Sequence, residues 1–291
     1  MGSKPTSSGN GRLSVAKTRK LYIDGAFVRS ESGRSFVETG PGGVAVNVAW
    51  ASRKDVRDAV SAARRRLPAW SALTAYNRGQ ILYRLAEMIE SRSAEFAELV
   101  LAQEGCGEAA ARAEVEAAVD RWVWYAGWTD KIGHLAASVN PVAGPYFNFS
   151  LPEPTGVVAV FAPTSLLGIT SVLAPVMAAG NVAVMVAGER GSLVAASLAE
   201  AVATSDFPAG SVNILTGRQP ELAGTVSTHR GVDGLDLSGL SPELRAEAES
   251  GAAGSVKRVF SEGAPDWTGL PGVSRVLSFV EVKTVWHPIG I

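Results

Sequence analysis

The sequence predicts an α/β fold: an open, doubly wound, mostly parallel sheet with a short extended β arm. Three observations carry that expectation. First, no charge lies between Glu153 and Glu189, a run that reads as strand (156–162), turn (163–168), helix (169–179) and strand (182–186), with Gly180-Asn181 stopping the helix. Second, both strands are continuous β-branched and apolar runs, the pattern of strands covered on two faces, which a right-handed βαβ crossover supplies. Third, strands and helices keep alternating afterwards. Helix 192–205, strand 212–215, strand 232–237, a helix opened by Ser241-Pro242-Glu243 and strand 255–260 follow in order. A membrane span is the rival reading of the uncharged run. Pro163, Gly168, Pro175 and Gly180-Asn181 interrupt it before roughly 20 apolar residues accumulate.

Before that unit, residues 20–28 place Asp24-Gly25 between alternating apolar positions, a hairpin signal. Asp55 is expected to cap a helix with Val56, Ala59, Val60 and Ala63 on its apolar face, which Pro68 should stop after Leu67. Arg64, Arg65 and Arg66 read as a solvated face at its end. Helices follow over 77–91, 94–103 and 108–132. Trp122, Trp124, Tyr125 and Trp128 late in the last one read as core rather than as a stacking platform for a base or sugar. Residues 141–154 lack helical period and read as an arm or hairpin, and Asn148-Phe149-Ser150 is a glycosylation sequon by pattern only. After a Gly/Pro-rich link at 262–274, residues 276–286 alternate as a terminal strand that needs a neighbour, from this chain or another.

With 46% hydrophobic and 19% charged residues, the 291-residue chain has the composition of a soluble globular protein. Its net charge of -1 leaves no electrostatic footprint for nucleic acid or anionic lipid. A single cysteine, Cys106, excludes an internal disulfide and a multi-thiolate metal site, and suits a reducing, cytoplasmic setting. Residues 1–19 are polar and Gly/Ser-rich and are expected to form a disordered tail; their opening fits the loose myristoylation pattern.

Generic catalytic motifs are absent: no G-x-G-x-x-G after a strand, no Walker loop, no G-x-S-x-G and no H-E-x-x-H. His134, His229 and His287 are far apart in sequence and read as surface or capping residues, so no metal site is expected. Cys106 is flanked by Glu104 and Glu108, the opposite of the positive field that a reactive thiolate needs.

Six segments, KLYIDGAFV (20–28), the run at 64–90, EPTGVVAVFAPTS (153–165), LAPVMAAGNVAVMVAGE (173–189), FPAGSVNILTG (207–217) and VEVKTVW (280–286), resemble in order and spacing the NAD-dependent aldehyde dehydrogenase superfamily. The resemblance covers residues 20–262 and 279–286. It implies a Rossmann-like coenzyme-binding domain in two pieces, 20–140 and 155–262. It also implies a small oligomerisation unit formed by the hairpin at 141–154 and a closing strand within 275–291. The link at 263–274 then stands where that superfamily carries its catalytic domain and its nucleophilic cysteine, which Cys106 does not match.

Further site positions follow from the same resemblance. Ser165, after Pro163-Thr164, stands where the oxyanion-hole asparagine is expected; a donor of that kind is worth about 2.7–4 kcal/mol. Glu262 aligns with the general base, but Gly263-Ala264-Pro265 follows it in place of Leu-Gly-Gly. Glu189, Gly217 and Gly239 are retained cofactor-binding positions. Val186 replaces a ribose-binding lysine, and Leu240 replaces the serine before the pyrophosphate-binding helix, where Pro242 removes an N–H and Glu243 adds negative charge. NAD is the implied but weakened cofactor. The expected function is that of an aldehyde-dehydrogenase-like pseudoenzyme. It would be a scaffold or regulatory subunit joined, through the C-terminal strand, to a full-length aldehyde dehydrogenase subunit or to itself. The alternatives are an NAD-dependent aldehyde oxidoreductase active only with a partner chain, and a nonfunctional relic.

Overall fold

A computed structural model describes residues 17–263 and 265–290. The expected tail at 1–16, with its myristoylation pattern, lies outside them. Its inner boundary is corrected: Thr18–Arg19 is already a strand, β1, because Lys17 and Arg19 both pair with Glu200 and hold the chain beside residues 47–48.

The next elements are β2 (Leu21–Ile23), β3 (Ala26–Val28), β4 (Ser35–Thr39), β5 (Ala45–Ala49), α1 (Arg53–Ser71), α2 (Ala75–Glu90), α3 (Ser93–Glu104), α4 (Glu108–Ala126) and α5 (Ile132–Ala136). Then come β6 (Ser138–Asn140), β7 (Tyr146–Pro154), β8 (Val157–Ala162), α6 (Leu166–Ala178), β9 (Val182–Ala187), α7 (Ser192–Thr204), β10 (Val212–Thr216) and α8 (Gln219–Thr228). The last are β11 (Gly234–Asp236), α9 (Pro242–Ala253), β12 (Arg258–Phe260), α10 (Val273–Leu277) and β13 (Val280–Pro288).

The main sheet runs β12-β11-β8-β9-β10-β2-β3, parallel from β12 to β10, with the β2–β3 hairpin added antiparallel at one edge. Every residue of β8, β9 and α6 is buried, as the uncharged run requires. The chain leaves β8 for β9 and β10 on one side and returns to β11 on the other. The strand order therefore reverses at β8, and a crevice opens at the carboxyl ends. Asn181 fixes the crossover: its side-chain oxygen accepts from Gly156 N (2.8 Å), and its amide donates to Val176 O (3.2 Å) and Phe279 O (2.9 Å). No helix among the described residues is long and apolar enough to cross a membrane.

Several expectations change. Pro68 does not stop α1, which continues to Ser71 because fully buried Trp70 stacks on Phe207 with ring centroids 5.5 Å apart. That burial outweighs one lost backbone bond near a helix end. The cap is Ser52, with Asp55 completing a capping box from the first turn. Arg64, Arg65 and Arg66 are more than a solvated face: Arg64 and Arg66 donate to Gly231 O and Ala209 O, and Arg65 pairs with Asp24. The expected helix over 108–132 ends at Ala126 as α4, and residues 127–131 turn before the short α5. The core reading of that cluster holds for Trp122 and Tyr125, which are buried, whereas Trp124 and Trp128 are half-buried.

The arm is a sheet in the order β13-β7-β6. The terminal strand starts at Val280 rather than 276, and it pairs antiparallel with this chain's own β7 from Val280↔Pro154 to Pro288↔Tyr146. Asn148 of the sequon is buried in that sheet and accepts from Asn140 Nδ2.

The link between β12 and β13 is held down by arginines. Arg121 donates to Ser171 Oγ (2.7 Å), Trp267 O (3.0 Å) and Gly269 O (2.8 Å). Buried Arg275 pairs with fully buried Asp236 (2.7 Å) and with Glu262, and lies 4.5 Å from the Phe260 ring. Removing one partner of a buried pair leaves the other charge uncompensated, at a cost of roughly 3–5 kcal/mol. Arg275→Met is accordingly expected to lower unfolding stability by about that amount in a urea titration. A loss below about 1 kcal/mol, the size of an exposed pair, would contradict this role.

Candidate functional site

The crevice at the carboxyl ends of the central strands is a cavity of about 240 Å³ lined by Ala162, Thr164, Gly188, Glu189, Arg190, Arg218, Gln219, Pro220 and Gly239. Its rim is assembled by loops after β8, β9, β10 and β11. Gly239 is required there, since a Cβ would lie 2.3 Å from Phe161 O. Gly217 ends β10 where a Cβ would come 3.3 Å from Ala51 N, so the loop before α1 packs on the same rim.

Of the side chains that resemblance assigns to the site, Glu189 lines this cavity, Ser165 lines the neighbouring one and Glu262 lines neither. Glu189 Oε1 accepts from Arg218 Nε at 3.1 Å, and the Arg218 guanidinium lies 4.5 Å from the Trp50 ring, with Arg34 3.7 Å from it. Ser165 caps α6, its hydroxyl accepting from Gly168 N at 3.0 Å, while Leu167 N donates to Glu114 Oε1 at 3.2 Å. Val186 is fully buried and its side chain offers no polar atom. Leu240 is buried too, and its N–H is spent on Leu237 O at 3.0 Å. Ser241 caps α9, with Pro242 in the first turn. Glu262 lies apart from the crevice lining, paired with Arg275. Cys106 sits in the α3–α4 loop and lines neither this cavity nor the next. Among the described residues no three His, Cys, Asp or Glu side chains converge to hold a metal ion.

Sequence reading missed the residues that shape the crevice most. Gln219 sends its side-chain amide to Ala162 O (2.9 Å) and Val186 O (3.1 Å), the carbonyls of two adjacent strands. The signal was the strand-Gly217-Arg218-Gln219-Pro220 junction, with proline just inside a helix start. In this arrangement the Glu189 carboxylate and the Ala162 and Val186 carbonyls already hold donors from within the chain, so a dinucleotide using them would have to displace Arg218 and Gln219.

A neighbouring cavity of about 380 Å³ is lined by Gln103, Glu104, Pro163, Thr164, Ser165, Arg190, Gly191 and Trp267. Here Glu104 meets Glu114. Desolvation and the adjoining Glu114 carboxyl push Glu104 up to about 7, against the opposing pull of Arg190.

Known proteins resemble this chain over most of its described length. The sequence signature of the aldehyde dehydrogenase family matches residues 27–264. Retinal dehydrogenase 2 of Mus musculus is 31% identical over 254 residues, covering 84% of this chain and 48% of the relative. Hydroxyisobutyraldehyde dehydrogenase of Mycolicibacterium austroafricanum is 32% identical over 251 residues, with 84% and 49% covered. Among solved structures, PnpE in complex with nicotinamide adenine dinucleotide superposes with a TM-score of 0.79 at 30% identity, covering 84% of this chain and 50% of that one. HpcC from Thermus thermophilus gives 0.79 at 28% identity, with 85% and 48% covered. The chain thus spans about half the length of the relatives it matches.

The carboxyl pair gives a pH dependence with a definite sign. A carboxyl whose folded value rises from 4.5 to about 7 favours the folded state fully below about pH 4.5, and that contribution is lost as pH rises through about 7. Glu104→Gln removes the titration. Melting temperatures followed from about pH 5 to 8 are expected to fall more steeply for the unaltered chain than for the variant, and parallel curves would contradict the shared-proton pair.

Proposed function

The chain belongs to the aldehyde dehydrogenase family, and from that premise we propose that it is a non-catalytic, assembling member of that family. It would act as a scaffold or regulatory subunit for a full-length aldehyde dehydrogenase or for a second copy of itself. One observation carries the reading: Glu189 and Glu262, the carboxylates that the family reading gives to cofactor binding and to general-base catalysis, are each paired with an arginine within the chain. A carboxylate locked to a guanidinium is a poor general base, because the pair must break before it can take a proton.

The arm supports the assembly half of the reading. Its register puts Val139, Phe149 and Val285 on one face with Phe147 and Leu151, and Val139, Phe147 and Leu151 are exposed. The outer edges of β13 and β6 have no strand neighbour among the described residues. An exposed apolar sheet face with open edges suits strand addition and face-to-face burial against another subunit. A cytoplasmic setting belongs to the same reading and rests on the lone Cys106.

A second reading keeps oxidoreductase chemistry, with NAD and with groups supplied by a partner chain. It is favoured by one observation: Glu189 and Gly239 still line a single crevice in a fold shared with an NAD complex.

Mixing experiments separate the two. The purified chain should give no NAD reduction with a panel of aldehydes, and should sediment with a full-length aldehyde dehydrogenase, or with itself, as a defined oligomer. Phe147→Asp combined with Leu151→Asp should weaken that association by roughly tenfold or more, since charges enter an apolar contact. Turnover by the isolated chain would overturn the non-catalytic reading. A monomer unaffected by the double substitution would overturn the assembly role, and added activity on mixing, beyond that of the partner alone, would favour the second reading.

A further inference from the structure

We propose that Gln219 is a built-in ligand surrogate that closes the carboxyl-end crevice to adenine nucleotides, with Arg218 closing its ribose side. Gln219 opens α8, and Pro220 fixes the backbone at that first turn. From there the side chain crosses the crevice, packs 3.6 Å from where a Cβ on Gly188 would stand, and spends its amide on Ala162 O and Val186 O. Those two carbonyls belong to the ends of β8 and β9, on the side of the sheet where an open α/β fold takes its ligand.

The chemistry of the contact sets what a displaced ligand would have to bring, hydrogen-bond donors for two neighbouring carbonyls. A carboxamide NH₂ offers two N–H donors in one plane, the same offer as the exocyclic amino group of adenine, and a ribose hydroxyl offers one. The preceding residue completes the set, because Arg218 satisfies Glu189, the acceptor nearest a sugar hydroxyl in the family reading. Two consecutive residues thereby occupy three acceptors on this rim, and a ligand must break these contacts before making its own. The occlusion rests on the family reading of this crevice and does not depend on whether the chain turns over an aldehyde.

Calorimetric titration of the full chain with NAD and with AMP tests it. Gln219→Gly removes the side chain at the first residue of α8, and Gln219→Ala, which keeps helix propensity, serves as the second variant. Circular dichroism and melting temperature establish that each is folded. Both nucleotides are expected to bind a folded Gln219→Gly or Gln219→Ala chain at least tenfold more tightly than the unaltered one. Adding Arg218→Ala should tighten binding further by freeing Glu189. Gln219→Met, which keeps the length without the donors, should gain less than Gln219→Gly. Equal affinity in the unaltered chain and the folded variants, whether tight or undetectable, would overturn the occlusion. It would leave the separate claim about turnover untouched.

Discussion

Carbonyl groups at the carboxyl ends of the central strands must find donors, and in this protein the chain itself supplies them. Thr216 O accepts from Ala51 N (2.8 Å), Ala187 O from Gly217 N (3.0 Å), and Ala162 O and Val186 O from the Gln219 side chain. A buried acceptor left without a donor costs about 1–3 kcal/mol, so this rim is a demand that either a ligand or the protein has to meet. In an open, doubly wound sheet the same rim is where ligands bind. The two facts compete for the same atoms, and the internal solution wins here. Capping of α6 by Ser165 and Glu114, and the Glu189–Arg218 pair, extend the pattern around the rim.

Closure of the rim goes together with closure of the link. Asp236, at the end of β11, is fully buried and would be costly without the Arg275 guanidinium. Arg275 lies on the short helix that leads into β13, so the pair fixes where the arm's last strand begins. Asn181 does the same from the other side, bonding the turn before β9 to Phe279 O, one residue before β13. The arm is therefore not a loose appendage. Its strand register with β7 starts from contacts made inside the main core.

Much of this was legible in the sequence. The absence of charge between Glu153 and Glu189 forces burial of the β8–α6–β9 unit, and Asp24-Gly25 adopts the positive φ values, 53° and 77°, of a tight hairpin turn. Site positions followed from family resemblance, while the strand order that opens the crevice came from the structure. Its state did not, because side-chain pairings such as Arg218 with Glu189 or Arg275 with Asp236 join residues far apart in sequence and leave no local period. Pro68 misled for a similar reason: the helix-stopping rule is local, while Trp70 meets Phe207 across the fold. Strands β4 and β5 and helix α8 escaped because each is short and weakly patterned beside stronger neighbours.

A crystal of the full chain soaked in millimolar NAD offers the most direct view of the rim. Gln219 Nε2 is expected to stay within hydrogen-bond distance of Ala162 O and Val186 O, with no nucleotide density in the crevice. Density for an adenosine moiety there, with Gln219 swung aside and Glu189 released from Arg218 onto a ribose hydroxyl, would contradict it.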